Sequence, residues 1–173
     1  MRVLGIDPGL ASTGYGVVEA RAGRLVAHDG GVIETPPGAA TELRLVSIHR
    51  RVRELIGEHR CHAIALEQLY FGQNVRTAFA VGQARGAVLL AAGQQSIACA
   101  SYTPQQVKAA VCGHGRAPKE QVARMVATLL ALPGAPASDH AADALAVAVC
   151  HINNAPLARA VAGAEAHRAE VRR

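Results

Sequence analysis

The sequence predicts an α/β protein built on one mixed sheet covered by helices. Three observations point there. Short apolar or strand-favouring stretches lie at residues 2–7, 13–20, 24–34, 63–67 and 96–101, which makes five strands. Apolar residues at helical spacing fill the longer intervals. The resulting order, β-β-β-α-β-α-β-α-α-α, places a run of strands before strands that alternate with helices. Half of the 173 residues are hydrophobic, which suits one domain with a substantial core better than two.

Residues 2–7 are apolar until Asp7, and Pro8-Gly9 then turns the chain. Tyr15, Val17 and Val18 favour a second strand. Residues 24–34 make a third, with Gly30-Gly31 as a bulge or turn, completing an antiparallel meander. Thr35-Pro36-Pro37-Gly38 breaks the pattern. The helix that follows, to about residue 60, carries Leu45, Ile48, Val52, Leu55 and Ile56 on one face and Arg44, Arg50, Arg51 and Arg53 on the other. Residues 63–67 read as a buried strand ending in Glu67, parallel to the first and joined to it by that crossover helix. Residues 74–93 form a helix rich in small side chains, and residues 96–101 a last strand. Thr103-Pro104 supplies an N-cap and a proline at the first helical position. This helix ends near Gly113-His114-Gly115. Pro118 opens the next, where Val122, Met125, Val126, Leu129 and Leu130 share a face. The final helix spans about residues 139–153 and is broken by Pro156. The domain is therefore set at 1–153, with 154–173 a mobile tail that lacks a core stripe.

Composition narrows the function classes. No apolar run approaches the roughly 20 residues of a membrane span. The N-terminus reaches Asp7 too early for a secretory signal, so a cytoplasmic protein is expected. Cys61, Cys99, Cys112 and Cys150 form no C-x-x-C pair and read as reduced, mostly buried thiols. A net charge of +5 is compatible with a polyanionic partner. Aromatic residues are only 3% of the chain, which argues against extensive base stacking. Among 18 basic residues the only lysines are Lys108 and Lys119. Either chance left them there, or a compact, mobile charge matters at those two places.

Asp7 and Glu67 each end an otherwise apolar strand, and active groups gather at the carboxyl ends of strands in such sheets. His140 and Asp143 lie three apart, on one face of the last helix. Three carboxylates brought together repel one another unless one takes up a proton or a cation joins them. Oxygen-rich sites suit Mg²⁺ or Mn²⁺, and two such ions about 4 Å apart serve phosphodiester cleavage. Each residue also has a duller reading. Asp7 caps the Pro8-Gly9 turn, Glu67 pairs with an arginine of a neighbouring helix, Asp139 is an N-cap, Asp143 complements the helix dipole, and His140 is structural.

Gly5-Ile6-Asp7-Pro8-Gly9 followed by Thr13-Gly14-Tyr15-Gly16-Val17 resembles the opening of the RuvC family of Holliday junction resolvases. Further matches follow in the same order. They are Ala65-Leu66-Glu67-Gln68 with Asn74, Gly82-Gln83-Ala84-Arg85-Gly86, Gln106-Val107-Lys108, the Gly113-x-Gly115 loop, Lys119-x-Gln121-Val122 and Ala141-Ala142-Asp143-Ala144-Leu145-Ala146. Each motif is weak alone. The ordered set, over roughly residues 2–153, is highly specific.

The resemblance implies a ribonuclease H-like fold and a homodimer that makes paired symmetric nicks across a four-way junction, in homologous recombination and DNA repair. It also implies two Mg²⁺ or Mn²⁺ ions per site and a branch-migration complex of the RuvA and RuvB type as partner. Asp7, Glu67 and Asp143 take the family's acidic metal-ligand positions. The fourth position, commonly the first Asp of D-A-A-D, is His140 here, which suggests a preference for Mn²⁺ over Mg²⁺. Asp139, four residues before Asp143, competes with His140 for facing the metal. Lys108 and Lys119 fall where the resemblance implies DNA contact, and Lys119 also lies in the first turn of a helix, where backbone N–H groups favour phosphate. Of Tyr70 and Phe71, one is expected to wedge against unstacked bases, with core packing as the alternative, and Arg76 to touch phosphate. Gly82, Ala84, Gly86 and Ala87 keep their helix slim, either against the protein's own sheet or against the mate's helix.

Three rivals stand beside this reading. Asp-x-Gly with Thr-Gly also resembles the first phosphate loop of actin-like and sugar-kinase ATPases, which are two-lobed and much longer. A non-catalytic junction-binding module leaves the acidic set unused. A less selective ribonuclease H-like nuclease shares the metal site.

Overall fold

β1 (Arg2–Asp7) is the middle strand of a five-stranded mixed sheet. The structure, a computed structural model, describes residues 1–68 and 75–171. β2 (Ser12–Arg21) and β3 (Arg24–Glu34) extend it antiparallel on one side. β4 (Ala63–Glu67) and β5 (Ala98–Tyr102) extend it parallel on the other. The expected parallel pairing of β1 with β4 is present, with α1 (Thr41–His59) as the crossover.

Strand alternation assigns the two faces. Leu4, Ile6, Ile64 and Leu66 point to the side covered by α1 and α2 (Val75–Gln94), where they meet Ile48, Val52, Leu55 and Val88. Val3 and Ala65 point to the other side. There α3 (Pro104–Cys112), α4 (Lys119–Leu129) and α5 (Asp139–Val171) supply Val107, Val122, Val126 and a run from Leu145 to Cys150. The mixed sheet is thus sandwiched between helices, as expected. Among the described residues no helix is long and apolar enough to cross a membrane.

Several boundaries differ from the sequence expectations, each for a local reason. The bulge sits at His28, where pairing passes from Val17↔Asp29 to Val18↔Ala27. Gly30 and Gly31 stay in the ladder, and a Cβ on Gly31 would lie 2.9 Å from the Tyr15 hydroxyl. β5 begins at Ala98 because Ser96 and Ile97 still donate to Gly93 and Ala92 at the end of α2. Leu129 is 37% exposed at the edge of α4, while Val122, Val126 and Leu130 are buried. Cys99 is exposed, and all four cysteines are free thiols. Pro156 does not end the last helix: α5 continues to Val171. Proline removes one N–H and crowds a carbonyl at a cost of about 3 kcal/mol. The buried first half of α5 and the alanine-rich sequence beyond Pro156 both favour helix on either side of it.

Candidate active site

The site depends on how closely α5 lies against the sheet. At Gly5 of β1 an added Cβ would collide with the Ala144 carbonyl oxygen, and at Gly14 of β2 with that of His140. On the helix side Ala141, Ala144 and Ala148 are at most 1% exposed. Glycine on two strands and alanine on the helix let the backbones approach until His140 and Asp143 reach the carboxyl edge of the sheet. The Asp7-Pro8-Gly9 turn is tied back to β2 by Thr13, fully buried, whose hydroxyl donates to the Gly9 carbonyl at 2.6 Å.

His140 Nδ1 lies 2.8 Å from Asp7 Oδ2. Glu67 ends β4 beside β1. Burial first, then the negative charges of Asp7 and Asp143, push its carboxyl up to about 7, while Lys119 and Lys108 oppose the shift. Burial also raises Asp143, against the pull of Lys119. Lys119 Nζ sits 3.1 Å from Asp143 and 3.3 Å from Asp139. A cavity of about 170 Å³ joins Glu67, Asp143, Lys108 and Lys119, with Val107 and Val122 in its wall.

Asp139 is not the cap of α5. Ser138 is: its hydroxyl accepts from the Ala141 N–H at 3.1 Å, and Asp139 is left to pair with Lys119. Glu67 does meet an arginine of a neighbouring helix, but differently from the duller reading. Arg85 of α2 donates to the Glu67 backbone carbonyl at 3.0 Å and to the Ser101 hydroxyl at 2.5 Å.

The donor set suits a hard divalent cation: carboxylates and one imidazole, with an ammonium already seated on one of the acids. As placed, no three Asp, Glu, His or Cys side chains among the described residues form a closed set around one ion. The acids are brought into electrostatic contact, and two of them carry His140 and Lys119 as partners.

A family model described as crossover junction endodeoxyribonuclease RuvC matches residues 3–151. The chain belongs to the RuvC family. A RuvC protein of Moorella thermoacetica is 54% identical over 156 residues, covering 90% of this chain and 93% of its own length. One from Thermomicrobium roseum is 53% identical over 151 residues, covering 87% and 92%. Thermus thermophilus RuvC, solved in complex with a Holliday junction substrate, superposes with a TM-score of 0.87 at 42% identity, covering 91% of this chain and 96% of that one. The yeast mitochondrial Holliday junction resolvase Ydc2, at 14% identity and a TM-score of 0.60, shares the fold. The ribonuclease H-like fold and the endonuclease class follow from this membership, and the ATPase and pure binding-module readings are not favoured.

The RuvC-type positions that the structure describes fall into two places. Asp7, Glu67, His140, Asp143, Lys108 and Lys119 gather at the sheet edge. The small residues of α2 divide. Ala84 and Ala87 are buried within the protomer, 0% and 9% exposed, in the cluster where α2 packs against α1 and the sheet. Gly82 and Gly86 face outward, where a Cβ would meet nothing within 4 Å. Near them are Phe79, Leu89 and Leu90, 69%, 42% and 56% exposed. Tyr70 and Phe71 lie outside the described residues, as does the side chain of Arg76. Thr13 and Arg85 carry no sequence signal of their own, although both lie in RuvC-like stretches, Thr13-Gly14-Tyr15-Gly16-Val17 and Gly82-Gln83-Ala84-Arg85-Gly86.

Proposed function

We propose that the chain resolves four-way (Holliday) DNA junctions by paired symmetric nicks, as a homodimer, in recombination and repair in the cytoplasm. A branch-migration complex of the RuvA and RuvB type would be its partner. The observation that carries this reading is the convergence of Asp7, Glu67 and Asp143, from two strands and a helix, at one edge where Lys108 and Lys119 also point. The Holliday junction substrate in complex with Thermus thermophilus RuvC supports the choice of DNA.

In this reading Asp7, Glu67, His140 and Asp143 hold divalent cations. When bound, Mg²⁺ or Mn²⁺ at such a site makes water nucleophilic at neutral pH and stabilises the leaving oxygen of a phosphodiester. The chain's own residues prepare that chemistry. Glu67, whose carboxyl is pushed up to about 7 by burial and its acidic neighbours, would be the ligand that a bound cation favours most in its ionised form. Lys119 exchanges Asp139 and Asp143 for a phosphate oxygen, and Lys108 presents a second ammonium from the cavity wall. The outward face of α2, with Gly82 and Gly86, offers a mate's helix close approach, and a two-fold dimer matches a symmetric junction with two cuts. Cleavage of a synthetic four-way junction, compared with linear duplex and RNA–DNA hybrid in Mg²⁺ and in Mn²⁺, tests the reading. Selective cutting of the junction is expected. Equal cutting of all three favours the less selective nuclease.

A further inference from the structure

The geometry points to Arg85 as the positioning residue for Glu67: its guanidinium bridges the ends of β4 and β5 and fixes the peptide from which the carboxylate projects. The inference rests on the assignment of Glu67 to the metal site.

Strand ends leave backbone groups without ladder partners. Gln68 N–H still reaches the Tyr102 carbonyl at 2.7 Å. On the other side of β4, β1 runs into Pro8 directly after Asp7, and a proline has no N–H with which to continue the ladder. The Glu67 carbonyl takes its hydrogen bond from outside the sheet, from Arg85 at 3.0 Å, while the second Arg85 nitrogen holds Ser101 on the neighbouring strand. One rigid, planar fork thereby spans two strand ends, a task that a flexible ammonium does less well.

Arg85 bonds the backbone of Glu67 and leaves the carboxylate oxygens free for a cation. The positive charges that act on that carboxylate are Lys119 and Lys108. The role of Arg85 is therefore orientation, of the kind that groups behind a metal ligand perform. It also sits one residue before Gly86, so it ties the outward-facing helix to the chemistry.

The test uses the full chain with Mn²⁺ as the calorimetric probe. Arg85→Ala is expected to weaken Mn²⁺ binding and slow junction cleavage, each by roughly 10–100-fold, with cation-free junction affinity held within about two-fold of wild type. Arg85→Lys should recover part of both. In a Glu67→Gln background, Arg85→Ala should leave Mn²⁺ affinity unchanged. Wild-type Mn²⁺ affinity and rate in Arg85→Ala overturn the proposal, as does an equal loss in the Glu67→Gln background. Should Arg85→Ala fail to fold, Arg85→Lys decides: full recovery means that charge alone matters, which is also against it. If the wild-type protein cuts no junctions, the functional reading fails on its own, and the Mn²⁺ cycle still judges Arg85.

Discussion

His140 Nδ1 stands 2.8 Å from Asp7 Oδ2, so the first strand and the last helix meet through an imidazole and a carboxylate. The contact needs Gly14 beneath the His140 carbonyl, since any larger residue lifts the helix. In the proposed metal site His140 would stand at the fourth ligand position. Imidazole is a better ligand for Mn²⁺ than for Mg²⁺, whereas carboxylate serves both. Wild-type protein is expected to cut faster in Mn²⁺ than in Mg²⁺, and His140→Asp to narrow that ratio. Rates in the two ions at matched concentration are the measurement. An unchanged ratio in the variant removes His140 from the ligand set.

Glu67 makes the cation-free protein pH-sensitive. Its carboxyl is pushed up from 4.5 to about 7, so between those values the folded state binds more protons than the unfolded state. Stability then falls as pH rises through this window. Glu67→Gln removes the proton and the repulsion together. In chelator-treated protein the variant should be more stable than wild type at pH 8, by on the order of 1–2 kcal/mol after discounting for solvent access. The gap should close at pH 5. Denaturant midpoints at the two pH values check this. The same variant should bind junctions and cut them about 100-fold more slowly or worse. A wild-type cutting rate in Glu67→Gln would falsify the proposed site.

Much of this was readable before the fold was known. β1, β3 and β4 occupy the predicted residues 2–7, 24–34 and 63–67. Asp7 and Glu67 stood out because an acid after an apolar run has no packing reason to be there. Other features depend on three-dimensional phase. α2 is apolar on both sides: Ala84 and Val88 face the core while Phe79 and Leu90 face out. Hydrophobicity alone therefore does not say which small residues are inside. The reach of Lys119 to Asp139 depends on how α4 packs against α5, and that of Arg85 to Glu67 on how α2 lies over the strand ends. Neither leaves a spacing signature. Pro156 misled because proline weakens a helix locally, whereas helical continuity also depends on what lies on both sides.

Lys119 is shared between Asp143 at 3.1 Å and Asp139 at 3.3 Å. In the proposed function a phosphate at the site would compete for the same ammonium. Lys119→Ala should therefore slow cleavage and reduce the salt dependence of junction binding by about one unit of slope, as expected for one lost phosphate contact. Lys108→Ala should slow cleavage as well, since Lys108 lines the same cavity as Glu67. Single-turnover rates and binding across a salt series separate the two effects. Normal cutting by both variants at physiological salt refutes the assignment.

The two sides of α2 make opposite predictions for residues two apart. Ala84 is fully buried within the protomer. Ala84→Leu overpacks that core and should cost about 1–3 kcal/mol of stability, whether or not the protein dimerises. Gly86 faces outward with nothing within 4 Å of an added Cβ. Gly86→Leu leaves the protomer core untouched and replaces a poor helix former, so the isolated protomer should be as stable as wild type or slightly more so. In the proposed dimer, however, the added side chain would meet its own copy across the two-fold axis and hold the helices apart. Light scattering should show the wild type as a dimer and Gly86→Leu shifted toward monomer, with thermal unfolding confirming an intact fold. A Gly86→Leu protein that dimerises as tightly as wild type places the interface elsewhere. Cleavage then separates assembly from chemistry, because a monomer with an intact acidic site should lose the pairing of the two nicks before it loses the capacity to make one.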